Sequence, residues 1–207
     1  MRIAVFLLAA ALTCPALADG VPEKGEGTIA ILGGARYVPN GTYIREQGAS
    51  HAFVQPGVLA EFGYMPDDEL HFKIDLGYGV DSYGLASGDR LLVRTTTIIL
   101  GIDTVLVRGK WFSLYAGGGI GYLLNSGTRS GVSSEANATA ACLAVGVRMR
   151  LGDHVAAVLE ERYTLASAAV DQTSQTSLVV GGNFLSLGLL FHFLSPDDPG
   201  HPRGPND

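Results

Sequence analysis

The sequence has few cysteines that could form disulfides, and few long apolar runs that could cross a membrane as helices. It contains two cysteines, Cys14 and Cys142, in 207 residues. Because Cys14 falls in an amino-terminal leader, no intrachain disulfide can form, and Cys142, among alanine and glycine, is predicted to be a small buried thiol. Beyond the leader, no run free of charge approaches the about 20 residues that a membrane-spanning helix needs. A disulfide-stapled module and a helical membrane protein are therefore excluded.

Charge is also scarce. Charged residues make up 16% of the chain, and the formal net charge is −6, against about 25% charged residues in soluble proteins. Mild acidity without a basic patch argues against nucleic acid as a partner. The glycine run 117–121 continues into a strand pattern and is not followed by a helix, so it is not a phosphate loop. Ligand spacing is absent from the five histidines, which are His51, His71, His154, His192 and His201. No metal, cofactor or catalytic group is predicted.

What the chain does contain begins with a secretory signal at residues 1–18. Arg2 supplies the positive start, residues 3–12 the apolar run, and residues 16–18, Ala-Leu-Ala, the cleavage site. Lipidation at Cys14 is the alternative, but the residue before it is bulkier and more polar than a lipoprotein signal requires. We therefore expect the mature chain to begin after residue 18.

The main pattern is a two-residue alternation, clearest in residues 70–80. Leu70, Phe72 and Ile74 share one face of this segment, while Lys73 and Asp75 lie on the other, as in a strand with one apolar side. Eight segments show the pattern: 28–37, 57–65, 70–80, 89–107, 111–122, 141–151, 155–165 and 183–193. Short turns at 66–69, 108–110 and 152–154 alternate with longer connections at 38–50, 84–88, 125–137 and 171–182. This asymmetry is typical of outer-membrane barrels, which predicts an all-β fold, an eight-stranded antiparallel up-and-down transmembrane β-barrel.

The volume of such a barrel decides which face points inward. Eight strands enclose an interior that only just fits side chains, so the glycine-rich face is expected inside. We predict that this face carries an ion-pair plug of five cations and four anions, since an unpaired buried charge costs several kcal/mol. Its members are Arg36, Glu61, Lys73, Asp75, Asp103, Arg148, Arg150, Glu160 and Arg162. Outward aromatics form two belts, with Tyr64, Phe72, Phe112, Phe191 and Phe193 near the turns and Tyr37, Tyr78 and Tyr122 near the loops. Glu161 breaks the outward apolar face, and nothing in the pattern explains it.

Residues 186–193 read Ser-Leu-Gly-Leu-Leu-Phe-His-Phe. This fits the terminal-strand signal of bacterial outer-membrane proteins, in which Gly follows a polar residue by two positions and two aromatics close the strand. Over residues 27–193 the chain resembles the small eight-stranded barrels typified by the OmpA transmembrane domain and the opacity proteins. The resemblance implies an outer-membrane location, contact with outer-membrane lipid, and recognition by the barrel-assembly machinery of Ser186, Gly188, Phe191 and Phe193. A proline-rich tail stands where a peptidoglycan-binding domain follows some of these barrels.

The predicted organisation is a signal peptide (1–18), a linker (19–26), the barrel (27–193) and a disordered proline-rich periplasmic tail (194–207). The fold analogy favours a structural or surface-interaction role, with loops 38–50, 125–137 and 171–182 meeting extracellular partners. Passage of small molecules is the alternative if the inward charges line water. A lipid-modifying enzyme is the second alternative, disfavoured because the chain lacks the His-x-Ser arrangement of lipid A deacylases. Ser50 and His51 are adjacent, and neighbours on an extended chain point apart. An enzyme is therefore not predicted.

Overall fold

The computed structural model describes residues 24–51, 54–169 and 177–194. The predicted signal peptide, residues 19–23 of the predicted linker and residues 195–207 of the predicted tail lie outside these ranges. Nearly all of the predicted barrel lies within them.

Within the described residues, eight long strands form one closed barrel. They are β1 (Glu26–Tyr37), β2 (Gln55–Tyr64), β3 (Leu70–Gly84), β4 (Arg90–Arg108), β5 (Phe112–Arg129), β6 (Val132–Gly152), β7 (Val155–Leu165) and β8 (Gly182–Leu194). Each strand is antiparallel to its neighbours. The last strand pairs with the first, from Glu26 opposite Leu194 to Tyr37 opposite Asn183, so no strand edge remains open around the ring. The predicted fold class is confirmed.

The smaller elements all lie at the end of the barrel opposite the short turns, here called the loop end. Helix α1 spans Gly41–Gln47. A two-residue strand, Ser50–His51, pairs with β3, and Ser167–Ala168 pairs with Leu178–Val179. In the described part of the chain, no helix has the length and apolar character to cross a membrane.

The alternation predicted from sequence sorts the side chains by face. Outward positions include large exposed apolar groups such as Ile31, Leu100 and Ile120, while the odd-numbered charged residues of β3 are buried. The exposed aromatics near the turns are Phe62, Tyr64, Phe72, Phe191 and Phe193, and those near the loops are Tyr37, Tyr78, Tyr122 and Tyr163. Phe112, which was predicted for the group near the turns, is only partly exposed. Glu161 faces outward between Val145 and Leu185, one outward position before Tyr163.

The predicted loop at 125–137 is wrong. Strands β5 and β6 continue through it and pair without a register shift up to Arg129 opposite Val132. Only Ser130 and Gly131 form the turn, both in the left-handed region with φ of 49° and 82°, as a two-residue hairpin requires. The Ser, Thr and Asn content suggested a loop, but here hydroxyls pair across the strands, as between Thr128 and Ser133 at 3.2 Å. The third strand also extends beyond its predicted end: β3 was predicted to end at residue 80 and continues to Gly84.

The interior changes character along the barrel axis. Between the two groups of aromatics it holds the charged side chains together with a smaller buried apolar group that includes Leu32, Leu59 and Leu190. Nearer the loop end, where Arg94 and Glu135 face outward and are exposed, the interior is mainly apolar. We call this interior group the apolar cluster: Tyr43, Tyr83, Leu85, Leu91, Val93, Leu123, Ala138, Ala140, Ala168, Leu178 and Val180. The expected apolar outer face therefore holds for the aromatic-bounded section, whose interior contains both charged and apolar side chains. Between this section and the loop end the pattern inverts, with charged residues outside and a mainly apolar interior.

Candidate functional site

Seven of the nine predicted plug residues lie together inside the barrel. We call them the charged cluster: Glu61, Lys73, Asp75, Asp103, Arg148, Glu160 and Arg162, each 5% exposed or less. They come from strands β2, β3, β4, β6 and β7, all at inward positions of the two-residue pattern. The cluster contains three cations and four carboxylates, not the five and four predicted.

Lys73 is the centre of the charged cluster. Its Nζ lies 3.2 Å from a carboxylate oxygen of Glu61, 2.9 Å from one of Asp103 and 3.5 Å from one of Glu160. Because these three carboxylates belong to three different strands, the ammonium ties the walls of the barrel to one another across its interior.

The two arginines extend the network toward either end. Arg162 contacts Asp75 at 2.6 Å and Glu160 at 2.8 Å. Arg148 contacts Asp103 at 3.1 Å, and its guanidinium carbon lies 4.1 Å from the centre of the Tyr115 ring. This stacking geometry is the cation–π arrangement that favours arginine over lysine.

Two residues that the plug prediction left out, Tyr115 and His71, complete the cluster. The Tyr115 hydroxyl donates to Glu160 at 2.9 Å. His71 lies 2.9 Å from an Arg148 nitrogen through Nδ1 and 2.8 Å from the Thr28 hydroxyl through Nε2. Nδ1 also lies 3.5 Å from a carboxylate oxygen of Asp103, so the His71 ring links Arg148, Asp103 and Thr28. Both residues occupy inward positions, so the alternation could have found them had it been applied to more than charges.

The inward glycines are explained by these large polar side chains. A Cβ at Gly117 would overlap Asp103, one at Gly146 would overlap the Tyr115 ring, and one at Gly63 would overlap His71. The interior of an eight-stranded barrel has little spare volume. Glycine on the neighbouring strand is therefore what allows each of these side chains to lie across the barrel wall.

The other two predicted plug residues lie apart from the charged cluster. Arg36 is nearer the loop end, where it pairs with Asp81 at 3.2 Å and donates to the Val180 carbonyl. Arg150 is at the turn end, where it pairs with Asp153 at 2.6 Å. Arg150 is opposite buried Ala156 and its side chain is 6% exposed, so it faces inward as the alternation predicts, but its ion-pair partner belongs to the turn and not to the charged cluster.

The apolar cluster is closed at the loop end by a side-chain clasp. Asn40 Nδ2 donates to the Tyr83 hydroxyl at 2.6 Å and to the Val179 carbonyl at 2.9 Å, and Asn40 Oδ1 accepts from the Val179 amide at 2.7 Å. Tyr43 of α1 packs edge-on against Tyr83, with ring centroids 5.6 Å apart. The clasp thus joins the segments before α1 and before β8 across the mouth of the barrel.

At the tip of the loop end, Asp89 links the β3–β4 connection to the β5–β6 hairpin. Hydrogen bonds from the Ser130 and Ser87 hydroxyls hold the pKa of the Asp89 carboxyl below its ordinary value, and Arg129 lies 3.6 Å away. These contacts attach the hairpin to its neighbour and favour one orientation of it.

Between the charged cluster and the apolar cluster lies a chamber of about 50 Å³. Arg36, Arg162, Thr97 and Thr164 line it, together with wall glycines such as Gly77. A single buried water needs about 10 to 15 Å³ of such volume. The chamber therefore has room for a few water molecules and not for an organic molecule of ordinary size.

The predicted terminal signal lies on the seam where β8 meets β1. Phe191 and Phe193 point outward, and the Phe193 ring covers Gly27 of β1, where a Cβ would strike it. Gly188 packs so closely on the β1 backbone that a Cβ would overlap the Ile31 carbonyl. Ser186 is buried and donates to the Glu160 carbonyl at 3.3 Å. At the turn end the seam is joined inside by His192 and Glu26, 2.8 Å apart.

A closed antiparallel barrel with an apolar outer face, aromatics at both ends of that face and charges inside is a transmembrane barrel of the outer-membrane type. The chain belongs to this class by sequence as well: the family model described as outer membrane protein beta-barrel domain matches residues 4–193. The protein is therefore a bacterial outer-membrane protein. In barrels of this type the short turns face the periplasm and the longer loops face outward.

Several solved structures are similar to this chain. Neisserial surface protein A has a TM-score of 0.56 at 16% identity, covering 84% of this chain and all of that one. The outer membrane protein W of E. coli has a TM-score of 0.54 at 17% identity, covering 84% of this chain and 100% of that one. OprG from Pseudomonas aeruginosa has a TM-score of 0.50 at 12% identity, covering 86% and 100%. At these identities the likeness shows the fold alone. Comparison with curated proteins gave no match.

Proposed function

We propose that this protein is a sealed barrel with a structural and surface-interaction role, exercised through its extracellular end. The observation that carries the proposal is the occupied interior. The charged cluster crosses the membrane section, the apolar cluster fills the section outside it, and about 50 Å³ separates them. Because charged side chains fill one section of the interior and apolar side chains fill the next, a surface role is favoured over passage of solutes.

The shape of the extracellular end supports the same proposal. The β5–β6 hairpin stays paired to its two-residue tip, and α1 and the segment before β8 are clasped by Asn40. A surface held in place before binding loses less conformational entropy when a partner docks. We propose that the hairpin is the principal contact of this surface with molecules outside the cell.

The remaining partners follow from the location. We propose that outer-membrane lipid covers the apolar outer face, and that the barrel-assembly machinery reads Phe191, Phe193 and Gly188 on β8 before the seam closes. We also propose that the chain is not an enzyme. Ser50 and His51 are consecutive residues of a short strand, and consecutive positions of a strand belong to opposite faces.

The proposal is tested with two readouts on two proteins. Cells would carry either the wild type or a variant in which residues 127–134 are replaced by a short Asn-Gly turn, and would be applied to a panel of immobilised extracellular proteins and glycans. We expect the wild type to bind at least one surface and the truncated variant to lose that binding. Vesicles carrying each protein should not swell in small sugars beyond empty vesicles. Swelling with the wild type, or equal adhesion by both proteins, would favour passage or a purely structural role.

A further inference from the structure

We propose that the chamber between the charged cluster and the apolar cluster is a binding site for a small monovalent inorganic anion such as chloride. Arg36 and Arg162 would hold the ion, and the hydroxyls of Thr97 and Thr164 would complete its shell. The inference is independent of the proposed surface role, since it concerns the interior alone.

The charges around the chamber are the first argument. Of the described residues that line it, only Arg36 and Arg162 are charged, and no carboxylate lines it. The acidic partners of these arginines lie beyond the chamber in the strand register. Asp81, the ion-pair partner of Arg36, lies nearer the loop end. Asp75, the ion-pair partner of Arg162, lies nearer the turn end. Each ion pair therefore presents its positive end to the chamber.

Available hydrogen-bond donors are the second argument. Arg36 uses two of its nitrogens on Asp81 and the Val180 carbonyl, and a guanidinium has five N–H donors. In the part of the chain that the structure describes, the hydroxyls of Thr97 and Thr164 have no hydrogen-bond partner. Burying an ion is costly unless donors replace its hydration shell. Two guanidinium groups and two hydroxyls supply such a shell for an anion.

The size of the chamber and its access to water select the class of anion. A volume of about 50 Å³ accommodates a monatomic anion together with one or two waters. Glycines form much of the wall, and Arg36 lies against two of them, Gly57 and Gly79, where a Cβ would overlap its side chain. The Arg36 side chain keeps 13% exposure, so the site has contact with water. These dimensions favour a halide over phosphate or sulfate.

The direct test is diffraction from crystals of the full barrel grown in sodium bromide, with bromide as the probe because it scatters anomalously. We expect an anomalous peak in the chamber, within hydrogen-bond distance of Arg36 and one threonine hydroxyl. Bromide found only on the outer surface of the protein would overturn the proposal.

A solution test uses binding linkage, because an ion that binds only the folded barrel raises its stability as the ion concentration rises. Urea unfolding would be measured in mixtures of sodium chloride and sodium gluconate at constant ionic strength. We expect the midpoint to rise with chloride, and Arg36→Gln and Thr164→Val to weaken the apparent affinity about tenfold each. Thr164→Val keeps the side-chain shape and removes only the hydroxyl, so it tests chloride binding even if Arg36→Gln assembles poorly.

The matched control is Arg94→Gln, which removes the same charge from an exposed outward position on β4. Its chloride dependence should equal that of the wild type. Chloride dependence that is absent from the wild type, or unchanged in Thr164→Val, would show that the chamber does not bind the anion.

Discussion

Lys73 is the residue whose replacement should disturb the interior most. It contacts three carboxylates within 3.5 Å, and its side chain is 2% exposed. Lys73→Gln would leave the four carboxylates of the charged cluster with two arginines, whereas Glu160→Gln would leave three cations with three carboxylates. Removing one partner of a buried ion pair typically costs about 3 to 5 kcal/mol. We expect Lys73→Gln to lower the free energy of unfolding by that amount. We expect Glu160→Gln to lower it by about 1.5 to 3 kcal/mol, the contribution of charged hydrogen bonds.

The assay is urea unfolding from lipid vesicles, followed by the fluorescence of Trp111, the single tryptophan in the sequence. The double variant removes one charge of each sign, so it should cost less than the sum of the single variants by about 0.5 to 3 kcal/mol. Equal costs for the two single variants, together with an additive double variant, would refute the charge count on which the prediction depends.

Three further predictions concern assembly, orientation and the clasp. Replacing Phe191 and Phe193 with alanine should block assembly, because it removes the aromatic end of the seam, while deleting residues 195–207 should not. The heat-dependent gel shift of outer-membrane fractions measures the assembly of both variants. Assembly of the double alanine variant together with failure of the tail deletion would show that the terminal signal lies elsewhere. An epitope tag inserted in the two-residue turn of the β5–β6 hairpin should be detected on intact cells. Detection only after permeabilisation of the outer membrane would show that the barrel has the opposite orientation. Asn40→Ala should lower the free energy of unfolding by about 1 to 3 kcal/mol through three lost hydrogen bonds and expose the loop end to protease, whereas unchanged protection would mean that apolar packing alone holds it.

The part of the interior that the sequence predicts correctly is the part set by strand alternation. Lys73, Asp75 and Asp103 share a face with glycines in regular strands, and a period of two places them inside regardless of which strands become neighbours. Arg150 also faces inward as predicted, but it lies at the turn end, where its partner is Asp153 of the turn and not a member of the charged cluster. Arg36 was inward as predicted, but its partner Asp81 lies beyond the predicted end of its strand, so the pair was not foreseen.

The apolar cluster could not be read from local pattern. It brings together Tyr43 from α1, Tyr83 from β3 and Leu178 from a two-residue strand, which are separated by long stretches of sequence. Leu91 and Val93 point inward on the same face of β4 as Asp103, while Ile98, Leu100 and Ile102 point outward. The inward face of this strand changes from apolar to charged along its length, so the strand has no single apolar side and periodicity alone assigns it only in part. The hairpin was missed for a related reason, since its polar composition is common to loops and to exposed strands.

That the lumen is closed from end to end is tested most directly by single-channel recording of the wild-type protein in planar bilayers. The charged cluster and the apolar cluster together predict no resolvable current steps in symmetrical potassium chloride across the accessible voltage range. Frequent, long-lived openings of uniform conductance from the folded wild-type barrel would contradict the sealed interior and favour passage of small solutes.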